Sequence, residues 1–412
     1  MSYLQGVVGL LVFMAIAYLL SENRRDVSLK FVLLGLILQA LIAIVLLKIP
    51  VFQELLLTLN KLVVTLSSVT DRATQFMFGF LAGGQAPFAI QNAQHNYIVA
   101  FRVLPLIMVV SAISSVLFYW GILPLIIRAI AQVLVKTFRI SGALGFGAAS
   151  TVFLGTIEAP LMIRPYLNQL SRAELLSLLS CTMSTIAGTV MVLYASVISQ
   201  VVDNAVGHML VASMISIPAA LLLSHLMCPG TSSEQSNIVI QSDSHSTLDA
   251  LIRGTIDGLQ MVLHIVAIII VFFALIYLCN DVLGLISIAG KTLSVELILG
   301  TAFRPFMWFI GIPWEQTLVA GQLMATKVVL NEFVAYLNLA GMNHADLGQE
   351  NVIRLTYALC GFANFASAGI VIGGLGALIP ERRQELIKLT MKSLVIGNLA
   401  TLMTAAMIGL IA

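Results

Sequence analysis

Phe153-Leu154-Gly155-Thr156-Ile157-Glu158-Ala159-Pro160 sets a glycine, a carboxylate and a proline between two apolar arms, Ala143 to Val152 before it and Leu161-Met162-Ile163 after it. Each arm covers about half of the ~20 residues that a ~30 Å hydrocarbon layer requires, so the segment reads as a helical hairpin that enters a membrane and returns to the same side. Its tip then lies near membrane depth. Irregular backbone and an ionisable group are tolerated there only if buried in protein or facing a wet cavity, which makes Glu158 a candidate functional residue. Leu318 to Gly341 repeats the design, with Asn331-Glu332 set between Val328-Val329-Leu330 and Phe333-Val334-Ala335-Tyr336.

The composition agrees. Of 412 residues, 59% are hydrophobic and 10% charged, against roughly 25% charged in a soluble domain, and the mean hydropathy is +1.01. This is a polytopic membrane protein. A net charge of +2 is too small to imply nucleic acid, and short basic loops serve topology better than an electrostatic patch. Cys181, Cys228, Cys279 and Cys360 stand singly without CxxC spacing, so no disulfide framework or thiolate metal site is indicated.

In chain order, Tyr3 to Leu20 and Phe31 to Leu47 read as spans joined by Ser21-Glu22-Asn23-Arg24-Arg25-Asp26; basic residues follow the first span rather than precede it, which fits a retained helix. The arginines belong inside, which puts both termini outside. Residues 51–97 fit an amphipathic interfacial helix and a Gly/Gln/Asn-rich loop. Ile98 to Trp120 is a third span, and Ile122 to Ile140 a basic amphipathic surface helix. After the first hairpin, Glu174 to Gln200 crosses with a small-residue centre, Ser184-Thr185-Ile186-Ala187-Gly188-Thr189, and Gly207 to Leu226 returns. Residues 228–252 form a polar linker rich in serine and threonine.

The second half runs through similar elements in the opposite sense: a span at Leu259 to Leu278, an amphipathic piece at 283–312, and the Glu332 hairpin. A crossing at Val352 to Ile379 follows, centred on Gly361-Phe362-Ala363-Asn364-Phe365-Ala366-Ser367-Ala368-Gly369, and then Leu394 to Ile411. The two glutamates stand 174 positions apart. The fold expected is an all-α integral membrane protein of about eight transmembrane helices plus two re-entrant hairpins in an inverted repeat, the architecture of secondary transporters with a midplane site. A channel would repeat a short pore motif around a ring, and an intramembrane hydrolase needs a nucleophile with a base in reach; neither pattern stands out, so no catalytic residue is assigned. A channel or a transporter for another small polar solute is the alternative.

Gly155-Thr156-Ile157-Glu158-Ala159-Pro160, Ser184-Thr185-Ile186-Ala187-Gly188, Asn331-Glu332-Phe333-Val334-Ala335-Tyr336, Cys360-Gly361-Phe362-Ala363-Asn364-Phe365 and Phe101-Arg102-Val103-Leu104-Pro105 together resemble, in order and spacing, the signature stretches of the concentrative nucleoside transporters. The similarity covers essentially the whole chain, in the eight-span bacterial form. It implies a homotrimer in the lipid bilayer of the bacterial inner membrane, each protomer importing a nucleoside with a coupling cation by an elevator motion. It divides the chain into scaffold helices (1–121), a first transport repeat (122–227), a cytoplasmic linker (228–253), a scaffold span (254–282) and a second transport repeat (283–412).

Residue by residue, the resemblance makes Glu332, Asn364 and Ser367 the ribose-binding set and puts Thr156, Ile157, Glu158, Val190 and Phe362 at the base. It places the coupling cation, Na+ or H+, among Thr151, Leu154, Thr185 and Ile186, with no other cofactor. A carboxylate and an amide suit ribose hydroxyls, and a base offers a flat face and a polar edge. Three positions depart from the family pattern. Thr156 and Ile157 stand where the family has Gln and Thr, and Thr151 where it has the Asn that helps ligate sodium. A hydroxyl is a poorer ligand than an amide carbonyl for a hard cation, so the departures favour a proton carried by a carboxylate such as Glu158, with sodium the alternative.

Each residue also has a plainer reading. Glu158 or Glu332 as a structural carboxylate would pair with a basic side chain, and Lys327 is close in sequence; Asn364 would be interhelical glue. Phe362 and Val190 would be core, His264 a packed histidine, and Gly373-Gly374-Leu375-Gly376 a close-packing run.

Overall fold

The computed structural model describes residues 2–89, 98–230, 244–288, 291–342 and 347–411, whose regular secondary structure is helical apart from one pair of two-residue strands. Helices α1 (Ser2–Leu19), α2 (Leu29–Lys48) and α3 (Pro50–Phe78) are followed by α4 (Val99–Arg102), α5 (Pro105–Tyr119) and α6 (Ile122–Phe138). The next group is α7 (Gly142–Ser150), α8 (Glu158–Leu161), α9 (Arg172–Ser184), α10 (Gly188–Ile198) and α11 (Ala205–Met227). Helix α12 (Thr247–Leu283) leads to strands β1 (Ser287–Ile288) and β2 (Lys291–Thr292), then α13 (Val295–Phe309), α14 (Thr317–Val329), α15 (Glu332–Gly341), α16 (Gln349–Leu359), α17 (Phe365–Leu378) and α18 (Arg383–Ile411).

Among the described residues, six helical stretches are long and apolar enough to cross a membrane, and Tyr3–Leu19 and Phe365–Leu378 are shorter apolar helices. Their burial sorts them. The apolar window of Arg172–Ile198 is 94% buried in the protein, whereas that of Thr247–Leu283 is 6% buried. The first is the core of the fold, and the second presents its side chains outward. His264, expected as a packed histidine, is therefore exposed on α12.

Two extents differ from the sequence expectation, while residues 90–97 of the loop after α3 and 231–243 of the linker lie outside the described residues. Helix α12 starts at Thr247 rather than near Leu259, because the Ser246 hydroxyl accepts the Asp249 N–H (3.1 Å) and Asp249 pairs with Arg253 (3.0 Å), a capped polar first turn that carries the helix past its apolar part. The piece at 283–312 is a strand hairpin followed by α13, which Ser294 caps at the Leu297 N–H (3.1 Å).

Small residues set the close contacts. A Cβ at Gly254 would lie 2.6 Å from Ser115 Cβ, and one at Gly258 2.6 Å from Met108 Cα, so the i, i+4 glycines of α12 let its backbone lie on α5. Helices α1 and α2 pack chiefly on α11 and α18, with Gly35 of α2 against Leu222. The first two helices thus lie against helices far along the chain.

One end of the molecule is tied by Glu22, between α1 and α2. Its carboxylate receives Arg172 through both Nη2 (2.8 Å) and Nε (3.1 Å), the Lys392 amine (2.6 Å) and the Cys228 thiol (3.3 Å). Arg172 also reaches Glu385 (3.3 Å), and Arg382 joins Glu385 (2.8 Å) to the Leu170 carbonyl (2.7 Å). The first loop, the start of α9, the end of α11 and the start of α18 meet in this one cluster. The Arg172 hydrogen bonds hold Glu22 well below the usual carboxylate range, at about 2, with Lys392 and Cys228 adding to the effect. A depressed carboxylate stabilises the fold above its ordinary value of 4.5 and loses that contribution as pH falls towards about 2. Glu22→Gln is expected to cost about 1 kcal/mol at pH 7, and in thermal unfolding in detergent its deficit relative to wild type should shrink steadily below pH 4.5.

Candidate functional site

Two helical stretches, 172–198 and 349–378, are interrupted, and their interruptions meet. Between α9 and α10 the backbone is extended at Thr185 (φ −118°, ψ 169°) and Ala187 (φ −64°, ψ 144°). Between α16 and α17 the helix is broken from Cys360 to Asn364. The Phe362 N–H donates to the Thr185 carbonyl (3.2 Å), so each break supplies the other with a partner it lacks in its own helix. Glycines permit the approach: a Cβ at Gly361 would stand 3.1 Å from Met183 O and 2.8 Å from Thr401 Cγ2, and one at Gly397 2.7 Å from Met183 Cβ. The turn from 151 to 157, between α7 and α8, joins the same place through the Gly188 N–H to Phe153 O bond (3.0 Å).

A chain of buried polar side chains is built on these breaks. Glu332 opens α15, just after the Leu330-Asn331 turn in which Asn331 caps the helix at the Val334 N–H (3.0 Å). Its Oε1 accepts the Tyr194 hydroxyl of α10 (2.5 Å), and its Oε2 accepts the Asn364 amide (2.8 Å). Asn364 uses the other end of its amide to accept the Ser367 N–H (2.7 Å), capping α17. A carboxylate in the first turn of a helix is also favoured by the helix dipole. The structure therefore brings Glu332, Asn364 and Ser367 into one hydrogen-bonded set.

Lys327 acts on Glu332 through its charge alone, with no hydrogen bond or close ion pair between them among the described residues. Its amine donates to Ala358 O (2.9 Å) and Thr401 Oγ1 (2.9 Å). Glu158 shares no hydrogen bond with the Glu332 set among the described residues; its carboxylate accepts the Gly155 N–H (3.0 Å), a bond that closes the first turn. Thr156, Ile157 and Leu154 are half-buried on that turn. A Cβ at Gly374 would lie 2.3 Å from Ile157 Cδ1, so the glycine run of α17 is where the turn packs. Val190 and Phe362 are buried. The Thr151 hydroxyl donates to Ala148 O (2.7 Å) and that of Thr185 to Cys181 O (2.9 Å), which leaves the oxygen lone pairs of both available. Among the described residues the carbonyls of Thr151, Leu154 and Ile186 accept no hydrogen bond.

Sequence reasoning missed Tyr194. A tyrosine inside an apolar run reads as core, but it lies one helical turn after Val190 and hence on the same face, which is the signal that was there to use. Its ring packs on Phe333 (5.8 Å between centroids) and Tyr336 (5.4 Å), and this fixes the hydroxyl.

Comparison with known proteins bears on this arrangement. Models for the N-terminal and C-terminal parts of the Na+ dependent nucleoside transporters match residues 8–81 and 208–409, and a nucleoside recognition model matches 100–201. A transporter of Haemophilus influenzae without assigned substrate is 34% identical over 100% of this chain and 98% of its own. Nucleoside permease NupC of Helicobacter pylori is 31% identical over 99% and 98%. The chain belongs to the concentrative nucleoside transporter family. The inward-facing, substrate-bound structure of CNTnw, 31% identical, superposes with a TM-score of 0.90 over 100% of this chain and 98% of that one. As a member of this family of transporters, with helices apolar enough to span, the chain is an integral membrane protein and not an enzyme.

The meeting of the breaks makes a stability prediction for this transporter family member. Gly361→Ala forces its Cβ onto Met183 O and Thr401, and should cost about 1–3 kcal/mol. Gly369→Ala, where nothing lies within 4 Å, should be neutral or slightly stabilising in the same thermal unfolding assay.

Proposed function

We propose that this chain is a secondary active symporter that imports nucleosides across the bacterial cytoplasmic membrane together with a cation. The observation that carries the reading is the buried Tyr194–Glu332–Asn364–Ser367 chain at the junction of two helix breaks, in a member of a nucleoside transporter family. Ribose hydroxyls would donate to the Glu332 carboxylate and accept from the Asn364 amide, with Ser367 beside them. The base would lie against Phe362 and Val190, its polar edge towards Thr156 and Glu158. Ile157 offers that edge no hydrogen bond, so discrimination among bases is weak and partly read through water. The Gly155 and Leu330-Asn331 turns are the tips of re-entrant hairpins, the breaks lie near the midplane, and eight spans leave both termini outside. The transport unit moves as an elevator in each protomer of a homotrimer.

The coupling ion in this reading is a proton. Glu158, with the Gly155 N–H as its hydrogen-bond donor, is a carboxylate free to carry one, and the Thr151 side chain supplies a hydroxyl in place of an amide carbonyl. Sodium is the second reading, favoured by the family model's description and by the unbonded carbonyls of Thr151, Leu154 and Ile186 beside the Thr185 hydroxyl.

Counterflow in proteoliposomes with a panel of nucleosides tests the function: accelerated exchange by several nucleosides is expected, and none at all would leave the channel or other-solute reading. Tyr194→Phe and Asn364→Ala each remove a donor to Glu332 and should each weaken nucleoside binding by about 1–3 kcal/mol with protein abundance unchanged. Uptake at fixed membrane potential should rise as external pH falls from about 8 to about 5.5, by mass action of the coupling proton. A steep sodium dependence without a pH response would select the sodium reading. Thr151→Asn should strengthen sodium dependence in either case.

A further inference from the structure

We propose that Lys327 is a positioning residue for substrate recognition: its amine clamps the second helix break on both flanks and thereby sets where Asn364 stands against the substrate. The inference rests on the reading of Glu332 and Asn364 as the ribose set. Lys327 lies in the last turn of α14 and is fully buried. A lysine that only fills space lays its stem on apolar surface and sends its amine to water; this amine is committed inside. Its first acceptor, Ala358 O, is one of the terminal carbonyls of α16 that have no partner within the helix. Its second, Thr401 Oγ1, passes the connection on: the Thr401 hydroxyl donates to Asn398 O (3.1 Å), and the Asn398 amide donates to Ala363 O (3.1 Å).

Ala358 precedes the break and Ala363 is the residue before Asn364, so one amine and one turn of α18 hold both sides of it. The same hairpin carries Glu332, five residues further on. It supplies both the carboxylate that Asn364 meets (2.8 Å) and the clamp that fixes the amide's position. Gly361 and Gly397, which bring the break against Met183, have no side chains to do that work.

A clamp acting through Asn364 affects the ribose hydroxyls and not the base. The test compares uptake KM for uridine and for 2′,3′-dideoxyuridine in proteoliposomes. Wild type should prefer uridine. In Lys327→Met the uridine KM should rise roughly tenfold while that for the dideoxy analogue changes little, so the preference collapses. Thr401→Val, of equal size but without the relaying hydroxyl, should shift the ratio in the same direction by a smaller factor, and it decides the matter if Lys327→Met does not fold. Equal changes in both KM values, or an unchanged ratio in Thr401→Val, would overturn the clamp. A wild type that does not distinguish the two nucleosides would instead overturn the ribose reading beneath it.

Discussion

A helix interrupted inside an apolar environment exposes carbonyls and amides that nothing nearby will solvate, and each costs several kcal/mol if left alone. The hydrogen bond from Phe362 N–H to Thr185 O is the central answer to that constraint here. It requires the breaks in two distant crossings to lie against each other. That in turn requires glycine at 361 and 397, where any side chain would meet backbone or a packed methionine. Once the breaks are joined, the remaining orphan groups call for polar side chains at fixed places. Asn331 and Asn364 cap the helices that restart, and Lys327 takes the carbonyl end of α16.

The functional reading grows out of the same requirement. Asn364 caps α17 with its oxygen and meets Glu332 with its nitrogen, so in the proposed reading stability and recognition share one amide. Glu332 is held on its other oxygen by Tyr194, whose ring packs on Phe333 and Tyr336. Helices α10, α15 and α17 thus converge on one carboxylate. The peripheral helices are under no such constraint: α12 turns nearly all of its apolar surface outward and meets α5 through two glycines.

The interrupted crossings were legible because small and hydroxylated residues at 184–189 and 361–369 contrast with the apolar runs beside them, and both turns were marked by a carboxylate at a short-armed centre. The ribose set came from the family resemblance, and the structure joins it in one chain. Tyr194 was not legible, since a phenol in an apolar run looks like core until its partner is known. Proximity along the chain misled for Lys327: it lies in the last turn of its helix, and its amine reaches α16 and α18 instead of the carboxylate just beyond the turn. The start of α12 was hidden because capping by Ser246, not hydropathy, sets it. The knot around Glu22 joins residues up to 370 positions apart, a separation no local pattern reports.

The most direct measurement of the central claim is a structure of the protein with a nucleoside bound. The account predicts ribose hydroxyls within about 2.6–3.2 Å of the Glu332 carboxylate and the Asn364 amide, with the Thr185–Phe362 contact retained. A nucleoside bound elsewhere, with Glu332 still engaged by Tyr194 and Asn364 alone, would contradict it.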